Sequence, residues 1–232
     1  MNEERLPALS DYPLFAGLSE AELTQIAHCL SKRVFGKGAY LYHPGNPAAN
    51  VYLIESGLVR IFFCDQRGQE YIIQLAGRRS VVGVPMLYDD QTRVMGAAAV
   101  QPVVVLVLEK QDLARFAERF PRLMQNIYRW MDQALRNMVQ FTQSLVTLDV
   151  NGRLAALIMY LSWLIASPQS PDEFEIPLSQ AELASWLGTS RGHLNRALAK
   201  LQQLGLIRVE GQKLTILDRP GLRRVTEDLL IK

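Results

Sequence analysis

Cysteine and histidine are scarce in this chain, with two and three copies in 232 residues. Cys29 and Cys64 cannot build a disulfide framework, and no C-x-x-C pair is present to hold zinc or an iron–sulfur cluster. His28, His43 and His193 are isolated in the sequence, so they cannot supply the clustered ligands of a metal-dependent cupin enzyme. A nucleophile–base set and a phosphate-binding P-loop are also missing. The sequence therefore favours a non-enzyme from a reducing compartment.

Long apolar runs and a secretory signal are missing too. The longest runs, "AALIMYL" and "VVVLVL", are far shorter than the roughly 20 residues that span a bilayer. The first residues, "MNEERLPALSDYPLF", carry acids and prolines where a secretory signal has basic residues followed by an apolar stretch. We therefore expect a cytoplasmic protein without a membrane partner, long enough for two domains with cores of their own.

The net charge is only +2, but the charge is unevenly distributed along the chain. Between Gly188 and Arg224 there are eight Lys and Arg residues and two acids, whereas Thr142 to Leu187 holds one Arg and five acids. A basic segment of this density is typical of a surface that binds a polyanion. A solvated basic face without a ligand is the alternative interpretation.

The amino-terminal part predicts a short helix followed by an all-β region. The helix is "SEAELTQIAHCL", in which Ser19 and Glu22 have the spacing of a capping box. Six short β-rich runs follow, separated by glycine and proline: "VYLIES", "LVRIFF", "EYIIQLA", "SVVGV", "RVMGAAAV" and "VVVLVLE". Their number and spacing predict a β-roll of the jelly-roll, or double-stranded β-helix, type over about residues 35–110.

A long helix with an apolar seam is predicted next. Its apolar residues recur at alternating gaps of three and four, a heptad pattern sustained for more than three heptads. Such a seam predicts a partner helix, most simply the same helix of a second copy. Further apolar residues widen this arc, so we also expect packing on the β-roll of the same chain; they are Leu123, Tyr128, Trp130, Leu135 and Val139. The predicted dimer interface comprises Met124, Ile127, Met131, Ala134, Met138, Phe141, Leu145 and Leu148.

The remaining sequence has the helix-capping and turn residues that are typical of a winged helix-turn-helix. After a hinge at Leu148 to Asn151, the helix "SQAELASWL" opens with Ser179 and Glu182 in capping-box spacing. Gly188 suits the left-handed backbone of a tight turn, and Ser190 can cap the helix that runs through "RGHLNRALAKLQQLG". "LIRVEGQKLTIL" then alternates as a two-stranded wing, and "DRPGLRRVTEDLL" is a closing helix.

Together these elements predict an α+β protein in three parts. Residues 1–120 form a β-roll domain with a short N-terminal helix, and residues 121–148 form a long dimerisation helix. Residues 149–232 form a winged helix-turn-helix domain.

The helix that follows the turn is expected to enter the major groove of DNA. One face carries an apolar stripe, and the opposite face carries small, polar or cationic side chains at helical spacing. Arginine can donate two hydrogen bonds to guanine, and the amides and hydroxyls at the helix start suit phosphate. The candidate DNA-binding residues are Gln180, Thr189, Ser190, Arg191, Gly192, His193, Asn195, Arg196 and Lys200.

The order of parts resembles the CRP/FNR family of bacterial transcription regulators from about Leu14 to Leu222. The resemblance is carried by "LFAGLSEAEL", "KGAYLYHPGNPAANVYLIESGLVRIFF", "LDVNGRLA" and "LSQAELASWLGTSRGHLNRALAKLQQLGLI", which are similar to the entry helix, β-roll, hinge and recognition motif. It implies a homodimer whose β-roll senses a small signal and whose recognition helices bind a palindrome. It also places Arg191 and Arg196 where the family contacts guanine and phosphate. Gly192 replaces a glutamate of many members, so that base should be recognised differently or not at all.

The resemblance covers only half of the effector cassette. Members that bind cyclic AMP hold its phosphate with a Gly-Glu-x-Leu turn and an Arg-Ser or Arg-Thr pair, and the Glu holds the ribose. In "VGVPMLYDDQTRV" the glycine and arginine remain, while valines replace the acid and the hydroxyl residue. Apolar side chains also occupy the helix positions that would hydrogen-bond adenine. The candidate pocket residues are Gly83, Val84, Pro85, Met86, Thr92, Arg93, Val94, Met138 and Val139.

We therefore expect a β-roll that does not use cyclic AMP, with a surface salt bridge as the alternative role of Arg93. Two scattered cysteines exclude the family's iron–sulfur sensor. Neither His28 nor His43 has the context of a haem ligand, and Cys64 is more typical of a buried strand residue than of a redox sensor. The sequence leaves open the effector, the promoters and whether the regulator activates or represses.

The expected function is sequence-specific DNA binding as a homodimer, with RNA polymerase as a further partner. The alternative is a signal-binding adaptor that acts only through protein partners, its helix-turn-helix no longer binding specific DNA.

Overall fold

The structure is a computed structural model that describes residues 9–84 and 92–227. An all-β region with flanking helices is followed by one long helix and a smaller helical region, which confirms the predicted α+β architecture. The chain divides into two compact units inside the long helix, between Arg136 and Asn137. This division falls within the segment assigned to the dimerisation helix. In the described ranges no helix is both long and apolar enough to cross a bilayer.

The first unit begins with two short 3-10 turns, Leu9–Asp11 and Pro13–Phe15, and helix α1, Glu20–Ala27. The predicted capping box is present, because the Ser19 hydroxyl accepts from the Glu22 amide and the Glu22 carboxylate accepts from the Ser19 amide. These two bonds satisfy amides that have no partner within the helix. They fix where α1 starts.

Eight strands follow and form two four-stranded sheets. The first sheet has the order β1-β8-β3-β6, and the second has the order β2-β7-β4-β5. The strands are β1 Ser31–Phe35, β2 Tyr40–Tyr42, β3 Asn50–Ser56, β4 Val59–Cys64, β5 Glu70–Ala76, β6 Val81–Val82, β7 Gly96–Ala99 and β8 Val103–Glu109.

The central strands β3 and β8 are buried on both faces, which explains why their sequences are almost continuously apolar. Alternate residues point to opposite faces of a strand. Val105 and Val107 therefore belong to the core between the two sheets, whereas Leu106 and Leu108 belong to a second core with the helices. The second core includes residues of helices α2, Lys110–Arg119, and α3, Pro121–Thr147.

One buried polar residue ties α3 to the entry segment. The side-chain amide of Asn126, which is 3% exposed, donates to the carbonyls of Leu14 and Ala16 at 3.1 and 2.9 Å. Because both carbonyls lie outside regular helix, the asparagine supplies a donor that the backbone does not. The amino-terminal half of α3 is thereby held on its own β-roll unit.

The second unit contains the carboxyl end of α3, four further helices and a three-stranded sheet. The sheet has the order β10-β11-β9, in which β10–β11 is the predicted wing and β9 pairs antiparallel with β11. The elements are α4 Val150–Ile165, β9 Glu173–Glu175, α5 Gln180–Trp186, α6 Arg191–Gln203, β10 Ile207–Glu210, β11 Lys213–Ile216 and α7 Arg219–Glu227.

The turn between α5 and α6 depends on Gly188, which has a φ of +59°. Its amide donates to Ser185 O, and the next amide, of Thr189, donates to Ala184 O at 2.9 Å. Ser190 then caps α6 by accepting from the His193 amide. The left-handed residue, the two backbone bonds and the cap close the tight turn that the sequence predicts.

We predict that Gly188→Ala destabilises the protein by about 1 kcal/mol, because a Cβ disfavours the left-handed backbone. Gly192→Ala is the matched control, since Gly192 is helical and a Cβ there would meet nothing closer than 3.9 Å. The control should leave stability unchanged or raise it by up to about 1 kcal/mol, through higher helix propensity. Urea unfolding followed by circular dichroism measures both. Equal losses in the two variants would contradict the role of Gly188.

Candidate functional site

Helix α6 separates an apolar face from a polar face. Leu194, Ala197 and Leu201 are buried in the second unit, at the spacing of one helix face. The exposed side carries the six predicted DNA-binding residues of this helix: Arg191, Gly192, His193, Asn195, Arg196 and Lys200. The helix therefore presents a continuous polar surface to solvent while its other face holds it in the unit.

The start of α6 carries further polar groups. Thr189 is half-buried, and its hydroxyl lies 3.4 Å from His193 Nδ1, while Ser190 is exposed beside it. Gln180 is exposed as the first residue of α5. Free backbone amides at helix starts and these side chains are the groups that commonly contact phosphate in protein–DNA complexes.

The basic residues of this segment differ in their partners. Ion pairs with acids of the same unit neutralise Lys213, Arg219 and Arg224. Within residues 9–84 and 92–227 no ion pair is formed by the other five cations, which are Arg191, Arg196, Lys200, Arg208 and Arg223. Four of these five are on α6 or on wing strand β10. The basic residues without an ion pair in the described ranges are therefore concentrated on α6 and on wing strand β10.

Asp149 at the hinge is electrostatically linked to the recognition helix. Burial alone would raise the pKa of its carboxyl, but the pKa lies below its usual value because the Gly152 amide and Asn151 donate to it. The positive charge of Lys200 acts in the same direction. Asp149 is thus an ionised N-cap of α4.

Helix α3 exposes an apolar stripe that differs in part from the predicted seam. Ile127 is 3% exposed in the core of its own β-roll unit, so its assignment to a dimer interface is wrong, and Met124 is partly buried against the same core. The exposed positions form a second apolar row beside the predicted seam. The two rows have the same heptad spacing and share Met131, Met138 and Leu145. We call the exposed set the α3 stripe: Tyr128, Met131, Leu135, Met138, Val139, Leu145 and Val146.

The other predicted interface residues lie beside the stripe. Ala134, Phe141 and Leu148 are half-buried along one edge of the helix. The sequence analysis used Tyr128, Leu135 and Val139 only as signs of a wider apolar arc and did not assign them to the interface. Both apolar rows satisfy a heptad, and only the position of the β-roll core distinguishes them.

Arg93 is buried in the β-roll, so its interpretation as a surface salt-bridge residue is wrong. Its side chain is 9% exposed and its guanidinium carbon lies 3.9 Å from the centre of the Tyr42 ring. Nη1 donates to Gly83 O at 3.1 Å, and Nη2 donates to Asn50 O. Burial raises the pKa of Tyr42 to about 12, and the Arg93 charge opposes this only in part, so the ring is neutral at physiological pH.

Gly83 allows this packing. It has a φ of +74°, and a Cβ there would lie 2.7 Å from Arg93 Nη1. The glycine that the family uses near phosphate here makes room for the arginine itself. Only Nε of the guanidinium is buried without a hydrogen-bond partner in the part of the chain that the structure describes. Tyr42 and Asn50 were missed by sequence reasoning, because nothing local links them to Arg93.

The structure describes seven of the nine candidate pocket residues. Arg93 supplies a cation, but two of its nitrogens already serve backbone carbonyls. Val84 packs partly against the helix-facing core, while Thr92 and Val94 are exposed. Met138 and Val139 are exposed on α3 in the second unit, and Pro85 and Met86 lie outside the described residues.

The other cofactor candidates also lack a ligand set. His43 is exposed and stacks on Tyr40, with ring centres 4.1 Å apart, and His28 is exposed at the end of α1. Cys64 is exposed instead of buried as expected. Over residues 9–84 and 92–227 no three histidine, cysteine or acidic side chains are grouped so that they could hold a metal ion.

In the comparison with known proteins, one family model matches the β-roll region and another matches the helix-turn-helix region. A family model described as cyclic nucleotide-binding domain matches residues 32–120, and one described as Crp-like helix-turn-helix domain matches residues 152–225. The first match covers the β-roll strands from β1 onward and α2. The second covers α4 to α7 except their outermost residues.

Three relatives illustrate the similarity. The transcriptional activator protein anr of Pseudomonas aeruginosa is 27% identical over 80% of this chain and 76% of its own length. A CRP-like cAMP-activated global transcriptional regulator of Mycobacterium tuberculosis is 25% identical over 91% of this chain and 95% of its own. The structure of FixK2 from Bradyrhizobium japonicum superimposes with a TM-score of 0.77 at 19% identity, covering 84% and 96% of the two chains. With both domain models matched in this order, the chain belongs to the CRP/FNR family of transcription regulators.

Proposed function

We propose that the protein regulates transcription by binding a pseudo-palindromic DNA site as a homodimer, with one α6 helix in the major groove of each half-site. The observation that carries the proposal is the exposed polar face of α6, where Arg191, Arg196 and Lys200 have no ion-pair partner in the described ranges. When DNA binds, phosphates and guanine edges can replace the water around these guanidinium and ammonium groups. RNA polymerase is the proposed partner of the bound dimer in the cytoplasm.

Specificity is assigned to Arg196 and general affinity to Lys200. Arg196 is in the amino-terminal half of α6, where recognition helices contact bases, and it shares its face with Asn195 and Gly192. Lys200 lies one turn further along, towards the charge of Asp149 at the hinge. We therefore place Arg196 at a guanine and Lys200 at a phosphate.

Arg196→Ala should relax the preference at one base position of each half-site, by about 1–3 kcal/mol per contact. Lys200→Ala should weaken binding to all sequences alike and lower the salt slope by about one unit per site. Gel shifts with single-base operator variants, repeated over a range of salt concentrations, measure both effects. Equal losses of both variants on every sequence would contradict the assignment. If the wild-type protein had no preference above its electrostatic background, the adaptor function would replace the regulator.

The α3 stripe is the proposed dimer interface. Its exposed apolar residues recur at gaps of three and four from Tyr128 to Met138, and Leu145 follows at the next heptad. A soluble monomer rarely keeps such a row in water, and the heptad period matches a second helix of the same kind. A parallel pair of α3 helices places two α6 helices symmetrically, as a palindrome requires.

Replacing Met131 and Met138 together with Glu should give monomers without specific DNA binding, because the new carboxylates would be buried against their copies. Replacing Gln133 and Gln140 together with Glu is the matched control, since these exposed residues lie on the opposite side of α3. Sedimentation and gel shifts separate the two outcomes. A Met131/Met138 variant that stays dimeric would place the interface elsewhere.

We further propose that the β-roll does not use cyclic AMP as its switch. Arg93 donates to two carbonyls of its own chain and stacks on Tyr42. These contacts support the proposal that the guanidinium expected to hold the nucleotide phosphate is engaged by the protein itself. A buried polar group of the ligand without a partner would lose about 1–3 kcal/mol of affinity. The dimer is then competent for DNA without a nucleotide, and its abundance sets the response. A more apolar ligand is the alternative effector.

Titration calorimetry with cyclic AMP should show no micromolar binding, and operator affinity should not change when the nucleotide is added. The reason is that Val84 and Val94 replace the acid and the hydroxyl residue of the cyclic-AMP cassette, so polar groups of the nucleotide would be left without partners. Micromolar affinity together with at least tenfold tighter operator binding, about 1.4 kcal/mol of coupling, would contradict the proposal.

A further inference from the structure

The junction between α3 and α4 is short and has one dominant contact. Only Leu148 and Asp149 separate the two helices. Arg153, one turn into α4, reaches back across this junction, and its Nη1 donates to Leu148 O at 3.1 Å and to Leu145 O at 3.4 Å. Both carbonyls lie at the carboxyl end of α3, where the helix dipole favours a cation.

The surroundings of Arg153 hold its side chain in this position. Its side chain is half-buried, and its Nε is buried without a hydrogen-bond partner among the described residues. Gly152 beside it is buried, and a Cβ there would lie 3.2 Å from the Leu148 Cβ. The first turn of α4 is thus closely packed on the end of α3, and the guanidinium supplies the directional bonds across the junction.

The same end of α3 touches the recognition motif. A Cβ on Gly188 would be in ordinary contact, at 3.6 Å, with the Leu145 side chain. The positive charge of Lys200 on α6 helps to lower the pKa of the Asp149 carboxyl, which lies inside the junction. All of these residues belong to the second unit. Because α6 packs against α4, the junction that orients α4 on the end of α3 also orients α6.

We propose that Arg153 is a positioning residue that sets the spacing between DNA half-sites. The proposal rests on the homodimer described above, in which two α3 helices pair and each carries one α6. Because Arg153 holds α4 at one angle on α3, it holds the two α6 helices at one separation. Each base pair added between half-sites shifts them by about 3.4 Å and rotates them by about 34°. A junction held by two hydrogen bonds discriminates against such a change, whereas a free junction adjusts to it.

The test compares palindromic operators that share the half-sites and differ only in spacer length, from two base pairs shorter to two longer. Wild-type protein should bind its preferred spacer at least tenfold more tightly than spacers changed by one base pair. Arg153→Met, which keeps the apolar stem and removes the donors, should bind the preferred and altered spacers within threefold of each other. Its dimerisation and its base preferences within a half-site should be those of the wild type.

Two further variants make the result specific. Arg153→Lys restores a cation within reach of Leu148 O and should recover most of the spacer discrimination. Arg136→Met is the control, because Arg136 is an exposed α3 residue paired with Asp132, and its spacer profile should match the wild type. If Arg153→Met does not fold by circular dichroism, Arg153→Gln, which is too short to span both carbonyls, takes its place.

A wild-type spacer profile in Arg153→Met or Arg153→Gln would overturn the proposal while leaving the dimeric regulator intact. Loss of dimerisation or of half-site base preference in these variants would also overturn it, because Arg153 would then act on general structure. If wild-type protein did not bind any operator specifically, the proposed function itself would fail. That result is separate, since it appears before any Arg153 variant is measured.

Discussion

Helix α3 carries more apolar surface than one chain can bury. Near its start, Leu123 and Ile127 pack into the core of the β-roll unit, and Asn126 fastens that part to the entry segment. From Tyr128 onward the α3 stripe is exposed among the described residues, and in the proposed homodimer a second copy removes this apolar area from water. In the proposed homodimer, a symmetric pair of helices binds a symmetric target. The proposed pseudo-palindrome then follows from the helix, and Arg153 is the residue proposed to set the position of α6.

The molecule uses arginine in two physically different ways. Arg93 is buried, and its charge is accommodated by two carbonyls and the face of Tyr42. Arg191 and Arg196 are exposed without ion pairs in the described ranges, so their donors are available to an external anion. The first arrangement stabilises the β-roll without a ligand, and the second gains its stabilisation only when DNA is bound. The proposal that protein concentration and not a nucleotide sets the response rests on this contrast.

The sequence predicts the helix-turn-helix well because its signals are local. Ser179 with Glu182, Gly188 and Ser190 each act on backbone within four residues, so their effect does not depend on the rest of the fold. The β-roll was predicted as a class, but β1 and β2 were missed. Four of the five residues of β1 are exposed and β2 has only three residues, so neither has the period-two pattern of a half-buried strand.

Interactions between distant segments account for the remaining errors. The seam on α3 was ambiguous because two apolar rows fit the same heptad, and the burial of Ile127 depends on residues more than 100 positions earlier in the chain, such as Leu14. The place of Arg93 depends on Gly83, Asn50 and Tyr42, which come together only in the folded β-roll. Residue types alone could not distinguish a buried arginine from an exposed one there.

The central claim is that two α6 helices, related by the symmetry of paired α3 helices, recognise DNA together. Selection of bound sites from a random DNA library by the purified full-length protein tests it most directly. The account predicts an enriched site made of two inverted copies of one short motif, with centres about one helical turn, roughly 34 Å, apart. Enrichment of a single motif without an inverted copy, or no enrichment at all, would contradict it.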